Sequence, residues 1–133
     1  MVSLIKKKNS KLIARQVISL EIEALKLLKR SLNRNFDKAV NAIVNCQSKI
    51  IFCGVGKSGL IASKIASTMS SVGCPAFSLS ANDCLHGDLG SITNKDLIIL
   101  ISNSGKSKEL LPIIKCANRN KIKIIGIVKE KNS

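Results

Sequence analysis

Two short stretches of this chain combine residue types that can hold an anion. The first, Gly54-Val55-Gly56-Lys57-Ser58-Gly59, follows a run of apolar β-formers and opens a helical pattern. Glycines there permit positive φ and let the backbone come close to a ligand. A helix start adds unpaired N–H groups, and Lys57 adds a mobile cation at the same mouth. Together these outline a phosphate or enolate site. The second stretch, Ser102-Asn103-Ser104-Gly105-Lys106-Ser107-Lys108-Glu109, again joins a strand end to a helix start. Its hydroxyls and amides can wrap a phosphate monoester with neutral donors while the helix dipole offsets the charge. Ordinary N-capping by Ser104 or Ser107 would explain one such turn taken alone. Two of them at one sheet edge weigh against that reading.

Other readings of the first stretch fit less well. A Walker loop needs glycine five residues before Gly56, and Ile51 stands there. The G-x-G-x-x-G spacing is met, but the acidic residue that would hold a ribose falls around Leu79 and Ser80. No dinucleotide or other cofactor is therefore expected. A third polar stretch, Asn82-Asp83-Cys84-Leu85-His86-Gly87-Asp88-Leu89-Gly90, carries the single histidine. Cys74, Asp83, Cys84 and His86 could be read as metal ligands, but their spacing is not a standard zinc pattern, and no metal is expected.

The elements that must position these loops are legible as periodicities. Ile50 to Cys53 is a short continuous apolar run ended by glycine, as in a strand buried on both faces. Pro75 to Leu79, Asp96 to Ile101 and Ile122 to Val128 are three more strands. Helix-period patterns over 58–72 and 107–118 separate most of them, so a parallel sheet with crossover connections is predicted. Both loops then leave from the carboxyl ends of strands, where open α/β sheets bind ligands. Ahead of the sheet, Leu12, Ile13, Val17, Leu20, Ala24, Leu27 and Leu28 mark an amphipathic helix from Asn9 to about Arg30. A second helix, from Phe36 to about Cys46, is given Asn35 as its N-cap. These two form a leading arm over residues 1–48, packing on the sheet or on a partner subunit, before a sheet region over 49–133.

Length and composition bound the rest. A chain of 133 residues is one domain's worth, and 45% hydrophobic with 23% charged residues suits a globular protein. The formal charge of +14 invites a nucleic-acid reading. Against it, the lysines are scattered, only Lys6, Lys7 and Lys8 are contiguous, and aromatic residues make up 2%, too few for base stacking. A nucleic-acid partner is not expected, although the positive potential would draw anionic substrates. The five cysteines are odd in number and include no C-x-x-C pair, as suits buried thiols in a reducing, cytoplasmic compartment. Lys11, Arg15 and Glu21 break any signal-peptide core, and the longest apolar run, Leu97 to Ile101, is far short of a membrane span. No membrane partner is expected.

The three stretches, taken in order, resemble the sugar isomerase (SIS) domain of bacterial arabinose-5-phosphate isomerases, and the resemblance runs from the leading helices to about Val128. It implies an α/β three-layer sandwich with a parallel, Rossmann-like sheet preceded by two helices. It also implies a sugar-phosphate ligand, a homo-oligomer, and interconversion of ribulose 5-phosphate and arabinose 5-phosphate through an enediol, toward the Kdo sugar of lipopolysaccharide. By resemblance, Lys57 matches a functional lysine, Glu109 a functional acid and His86 a histidine of the substrate pocket. Gly54, Gly56, Ser58 and Gly59 fall in its first ligand loop, and Gly73 and Cys74 where the family's chain touches substrate. Ser102, Asn103, Ser104, Gly105 and Ser107 match its phosphate loop. Ser80 departs from a histidine that can bind zinc, Asp83 stands where Glu is usual, and Lys106 where Glu is frequent. The family's domain continues with another helix and strand, a helical segment and a pair of CBS modules. Its catalytic base and a further histidine lie in that continuation. The resemblance therefore predicts sugar-phosphate binding with weak or absent isomerase activity, with an inactive remnant or sugar-phosphate sensor as the alternative.

Overall fold

The computed structural model describes residues 9–81, 84 and 88–129, with Asp88 by its backbone alone. Lys6 to Lys8, Asp83 and His86 lie outside the described residues. The elements run α1 (Ser10–Ser31), α2 (Arg34–Val44), β1 (Ile50–Gly54), α3 (Lys57–Ser71), β2 (Ala76–Ser80), β3 (Leu97–Ser102), α4 (Leu111–Arg119) and β4 (Lys123–Val128). Short 3-10 turns cover Asp88–Ser91 and Lys108–Leu110. The chain divides into two compact units, one ending at Lys38 and one beginning at Ala39. The expected arm boundary at residue 48 falls after α2, whereas the units divide within it.

The four strands form one all-parallel sheet in the order β2-β1-β3-β4. The predicted parallel α/β architecture is therefore what the chain adopts. Strand β1 and strand β3 are buried along their whole length, because each has a neighbour on both sides and a helix layer over each face. On one face Ile50, Phe52, Leu97, Ile99 and Ile101 pack with Ala62 and Ala66 of α3 and with Ala42 and Ile43 of α2. On the other, Ile51, Cys53, Ile98 and Leu100 pack with Leu110, Ile113 and Ala117 at and within α4. Alternation along each strand sends successive side chains to opposite layers. Strand β4 departs from the doubly buried pattern its sequence suggests. As an edge strand paired with β3 alone, it leaves Ile127 and Val128 exposed.

Helix α2 starts earlier than its sequence pattern indicates. Asn33, not Asn35, is the cap: its Oδ1 accepts the N–H of Asn35 at 2.8 Å, and its carbonyl accepts the N–H of Phe36 at 2.8 Å. An asparagine two residues before a second asparagine offers the same side chain, and the earlier one satisfies the first-turn donors.

Asp96, placed by its sequence at the head of the third strand, fixes the amino end of the sheet. It is fully withdrawn from water as a side chain, yet accepts bonds from the Thr93 N–H (2.6 Å), the Thr93 hydroxyl (3.0 Å), the Lys49 ammonium (3.1 Å) and the Lys49 N–H (3.3 Å). Next to it the Leu97 N–H donates to the Lys49 carbonyl, tying the start of β3 to the start of β1. Burial alone pushes the Asp96 carboxyl up, but bonds from Thr93, Ser48 and Lys49 outweigh it and hold the group at about 2. A folded value below the unfolded one means that this stabilisation is complete above about pH 5 and is lost as pH falls from there toward 2. Asp96→Asn is expected to cost about 2 kcal/mol at pH 7 and almost nothing at pH 2. Urea melts of both chains at the two pH values check this.

Candidate functional site

Strand β1 ends at Gly54 and α3 begins at Lys57, so the chain turns through two residues. A Cβ on Gly54 would lie 2.7 Å from the backbone carbon and oxygen of Ser58 and 2.9 Å from the Gly59 nitrogen. The converse holds at Gly59, whose Cβ would come within 3.0 Å of the Gly54 carbonyl oxygen. The first and third glycines thus let strand end and helix start touch backbone to backbone. Gly56 serves differently: its φ of +56° is the left-handed value that reverses the chain before the helix. Within the turn the Ser58 N–H donates to the Val55 carbonyl, and the Gly59 and Leu60 N–H groups donate to the Gly56 carbonyl. The N–H groups of Gly56 and Lys57 donate to no group among the described residues, which is the usual state of a helix's first amides. Lys57 is the first residue of α3 and is exposed.

The second loop leaves β3 at Ser102. Its buried hydroxyl accepts the Gly105 N–H at 3.0 Å and shares a hydrogen bond with the Ser107 hydroxyl at 3.1 Å. The exposed Ser104 hydroxyl accepts the Lys106 N–H at 3.2 Å. Ser102 and Ser107 therefore brace the turn, and Gly105, at φ +68°, permits it. The N–H groups of Ser107, Lys108 and Glu109, at the head of the 3-10 turn that runs into α4, find no partner among the described residues. The helix proper starts at Leu111 rather than at Ser107, because Pro112 fits only the first turn of an α-helix. Glu109 is exposed in this 3-10 turn, and no ion pair joins it to Lys57.

The strand register sets the two loops side by side. Gly54 of β1 pairs with Ile101 of β3, one residue short of Ser102. Adjacent strands lie about 4.8 Å apart, so the two turns start within a few ångströms of each other at the carboxyl edge. Lys57, Ser58 and Glu109 share that edge by their places in the chain. Gly73 and Cys74 do not. They form the turn between α3 and β2, where the Pro75 carbonyl accepts the N–H of Ile50, the first residue of β1. That is the amino edge of the sheet. His86 lies outside the described residues. Among those residues no cluster of three or more His, Cys, Asp or Glu side chains could hold a metal.

Cys53, one residue before the first loop, is buried in the core and pushed up to about 12, first by burial and then by the neighbouring Cys84 thiol. It is a packing residue and not a nucleophile at neutral pH.

A parallel three-layer α/β domain with two amide-rich turns at its carboxyl edge has the geometry from which helix starts can hold a phosphate group. Comparison with known proteins narrows the class. The SIS domain family matches residues 43–133, and the chain belongs to that family. The chain is 44% identical over 111 residues to arabinose 5-phosphate isomerase KdsD of Yersinia pestis, covering 84% of this chain and 34% of the relative. It is also 44% identical over 100 residues to arabinose 5-phosphate isomerase GutQ of Escherichia coli K12, covering 75% and 31%. Among solved structures, an Escherichia coli CFT073 protein in complex with arabinose 5-phosphate superposes with a TM-score of 0.88 at 31% identity. That match covers 97% of this chain and 69% of the other. The chain spans about a third of the length of the curated isomerases it matches.

Gly54→Ala is expected to force the strand end away from α3 at a cost of about 1–3 kcal/mol, since the contacts are backbone atoms that cannot rotate aside. Differential scanning calorimetry should show Tm falling by roughly 3 °C or more.

Proposed function

We propose that this chain binds a phosphorylated pentose at the carboxyl edge of its sheet and serves in aldose-ketose isomerisation between ribulose 5-phosphate and arabinose 5-phosphate. The observation that carries the proposal is the register of Gly54 with Ile101, which starts two amide-rich turns side by side. Membership of the SIS family and the likeness to a protein solved with arabinose 5-phosphate support the ligand class.

In this reading the phosphate rests on the turn from Ser102 to Ser107, where amides at the head of a helical turn face an anion with neutral donors. The sugar's reacting end then lies toward the β1 loop. Isomerisation removes a proton from the carbon beside the carbonyl, leaves an enediolate, and returns a proton to the other carbon. Lys57 opposes the negative charge that builds on the enediolate oxygen, an interaction stronger in the transition state than in the ground state. Glu109 is the candidate base that takes the proton from one carbon and returns it to the other, and His86 the candidate for moving a proton to and from a sugar oxygen. No metal or other cofactor is needed for these steps. The reaction would take place in the cytoplasm, within a homo-oligomer, and its product would feed synthesis of the lipopolysaccharide sugar Kdo.

Binding and turnover are tested together. Arabinose 5-phosphate at 100 times its Kd is expected to stabilise the chain by about 2.7 kcal/mol. Arabinose without phosphate should give no comparable rise in Tm. Lys57→Ala should abolish ribulose 5-phosphate formation while retaining part of the phosphate-dependent shift. A shift without turnover in the parent chain would favour a sugar-phosphate sensor, and no shift at all would remove the proposal.

A further inference from the structure

A cavity of about 590 Å³ lies against α4 and shares no lining residue with either loop. That volume is within the roughly 300–1,000 Å³ of small-molecule sites. Leu89, Ile92 and Pro112 give it an apolar side; Ile92 is buried in the core layer beneath, and Leu89 packs against that layer. Lys115 and Arg119 of α4 form its charged side, and among the described residues no carboxylate lines the cavity. Cys116 lines it too, held by the Asn120 carboxamide, which donates to the Cys116 carbonyl at 3.0 Å and to its thiol at 3.3 Å.

From this cavity we infer that the chain binds an organic anion with an apolar body, at a site separate from the carboxyl edge. The body covers Leu89, Ile92 and Pro112, and the anionic head sits between Lys115 and Arg119. The two cations have no counter-charge among the described residues. Helix α4 contains no acidic residue, and the ion pairs found are Lys26 with Glu23 and Lys49 with Asp96. Lys115 and Arg119 stand four residues apart, hence on one side of the helix, where like charges repel and weaken it. The helix dipole favours a cation at Arg119, in the last turn, but not at Lys115, in the middle of the helix. An anion between them removes the repulsion, and a guanidinium can hold a carboxylate or phosphate by two parallel bonds. An apolar body adds the burial of side chains that water otherwise covers, so a small hydrated anion gains less here than an amphipathic one.

Iodoacetamide footprinting of the full chain with decanoate below its micellar concentration, read by peptide mass spectrometry, tests the inference. Decanoate is expected to protect Cys116 in a saturable way and to leave Cys46 and Cys74, the other partly exposed thiols, unchanged. Decanol and decyltrimethylammonium, with the same chain and a neutral or positive head, should not protect it. That comparison uses the parent chain alone and does not depend on any variant folding. Lys115→Gln with Arg119→Gln, at exposed positions, should leave the far-UV circular dichroism melt unchanged. It should raise the Kd for decanoate by about tenfold or more, the loss expected of a charge-assisted bond. Arabinose 5-phosphate should not displace decanoate. Absence of protection, equal protection by decanol, protection spread evenly over Cys46 and Cys74, or full affinity in the double variant would each overturn the inference. Displacement by arabinose 5-phosphate would move the anion to the carboxyl edge and overturn it as well, while leaving the proposed function standing.

Discussion

Everything at the candidate site depends on β1 and β3 running in the same direction side by side. Had the two strands been antiparallel neighbours, the loop after β1 and the loop after β3 would open at opposite ends of the sheet. Parallel pairing, with Gly54 level with Ile101, forces both helix starts onto one rim. The pairing is anchored at its far end, where Asp96 gathers the Lys49 and Thr93 donors and holds the first rung between the strands. A buried carboxylate is costly unless its lone pairs are filled, and here they are filled by groups from both strand entries. The two ends of the sheet thus differ: ionic anchoring at the amino rim, and at the carboxyl rim amides that have no partner among the described residues.

The two loops are built on different physics, although both carry glycine and serine. In the first, glycines remove side chains where backbone meets backbone, and its cation belongs to the first helical residue. In the second, hydroxyls are used internally. Ser102 and Ser107 hold each other, and Ser104 holds Lys106, so the hydroxyls shape the turn, while the amides after it have no partner among the described residues. A serine hydroxyl that accepts an N–H still has its own proton to donate, so bracing the turn and contacting a phosphate are compatible roles for Ser104. Braced hydroxyls keep the amides in place at little entropic cost.

The two central strands were legible in the sequence because β1 and β3 are continuous apolar runs ended by glycine or serine, the pattern of strands buried on both faces. Boundaries moved by a residue where pairing rather than hydropathy decides them, as at Gly54 and Ser102. What stayed hidden depends on competition between near-equivalent residues or on neighbours distant in sequence. Asn33 and Asn35 are equally good caps on paper, and only the path of the chain selects one. Asp96 reads as the polar head of a strand, and its partner Lys49 is 47 residues away. Strand β4 has the composition of an interior strand, and only the strand order shows it to be an edge.

Gly73 and Cys74 pose a geometric constraint of a different kind. The resemblance that implicates Lys57 and the serine turn implicates them too, yet they stand at the amino rim, with the five residues of β1 between the two places. At about 3.3 Å per residue that separation is roughly 16 Å, longer than a pentose phosphate. One molecule of ligand cannot touch both groups within a single chain. Within the chain Cys74 has a sufficient role already, since it packs against the layer of Ile50, Phe52 and Ala66. The turn at Gly73 and Cys74 is accounted for by its place in the fold, where it leads α3 into β2 and meets the start of β1.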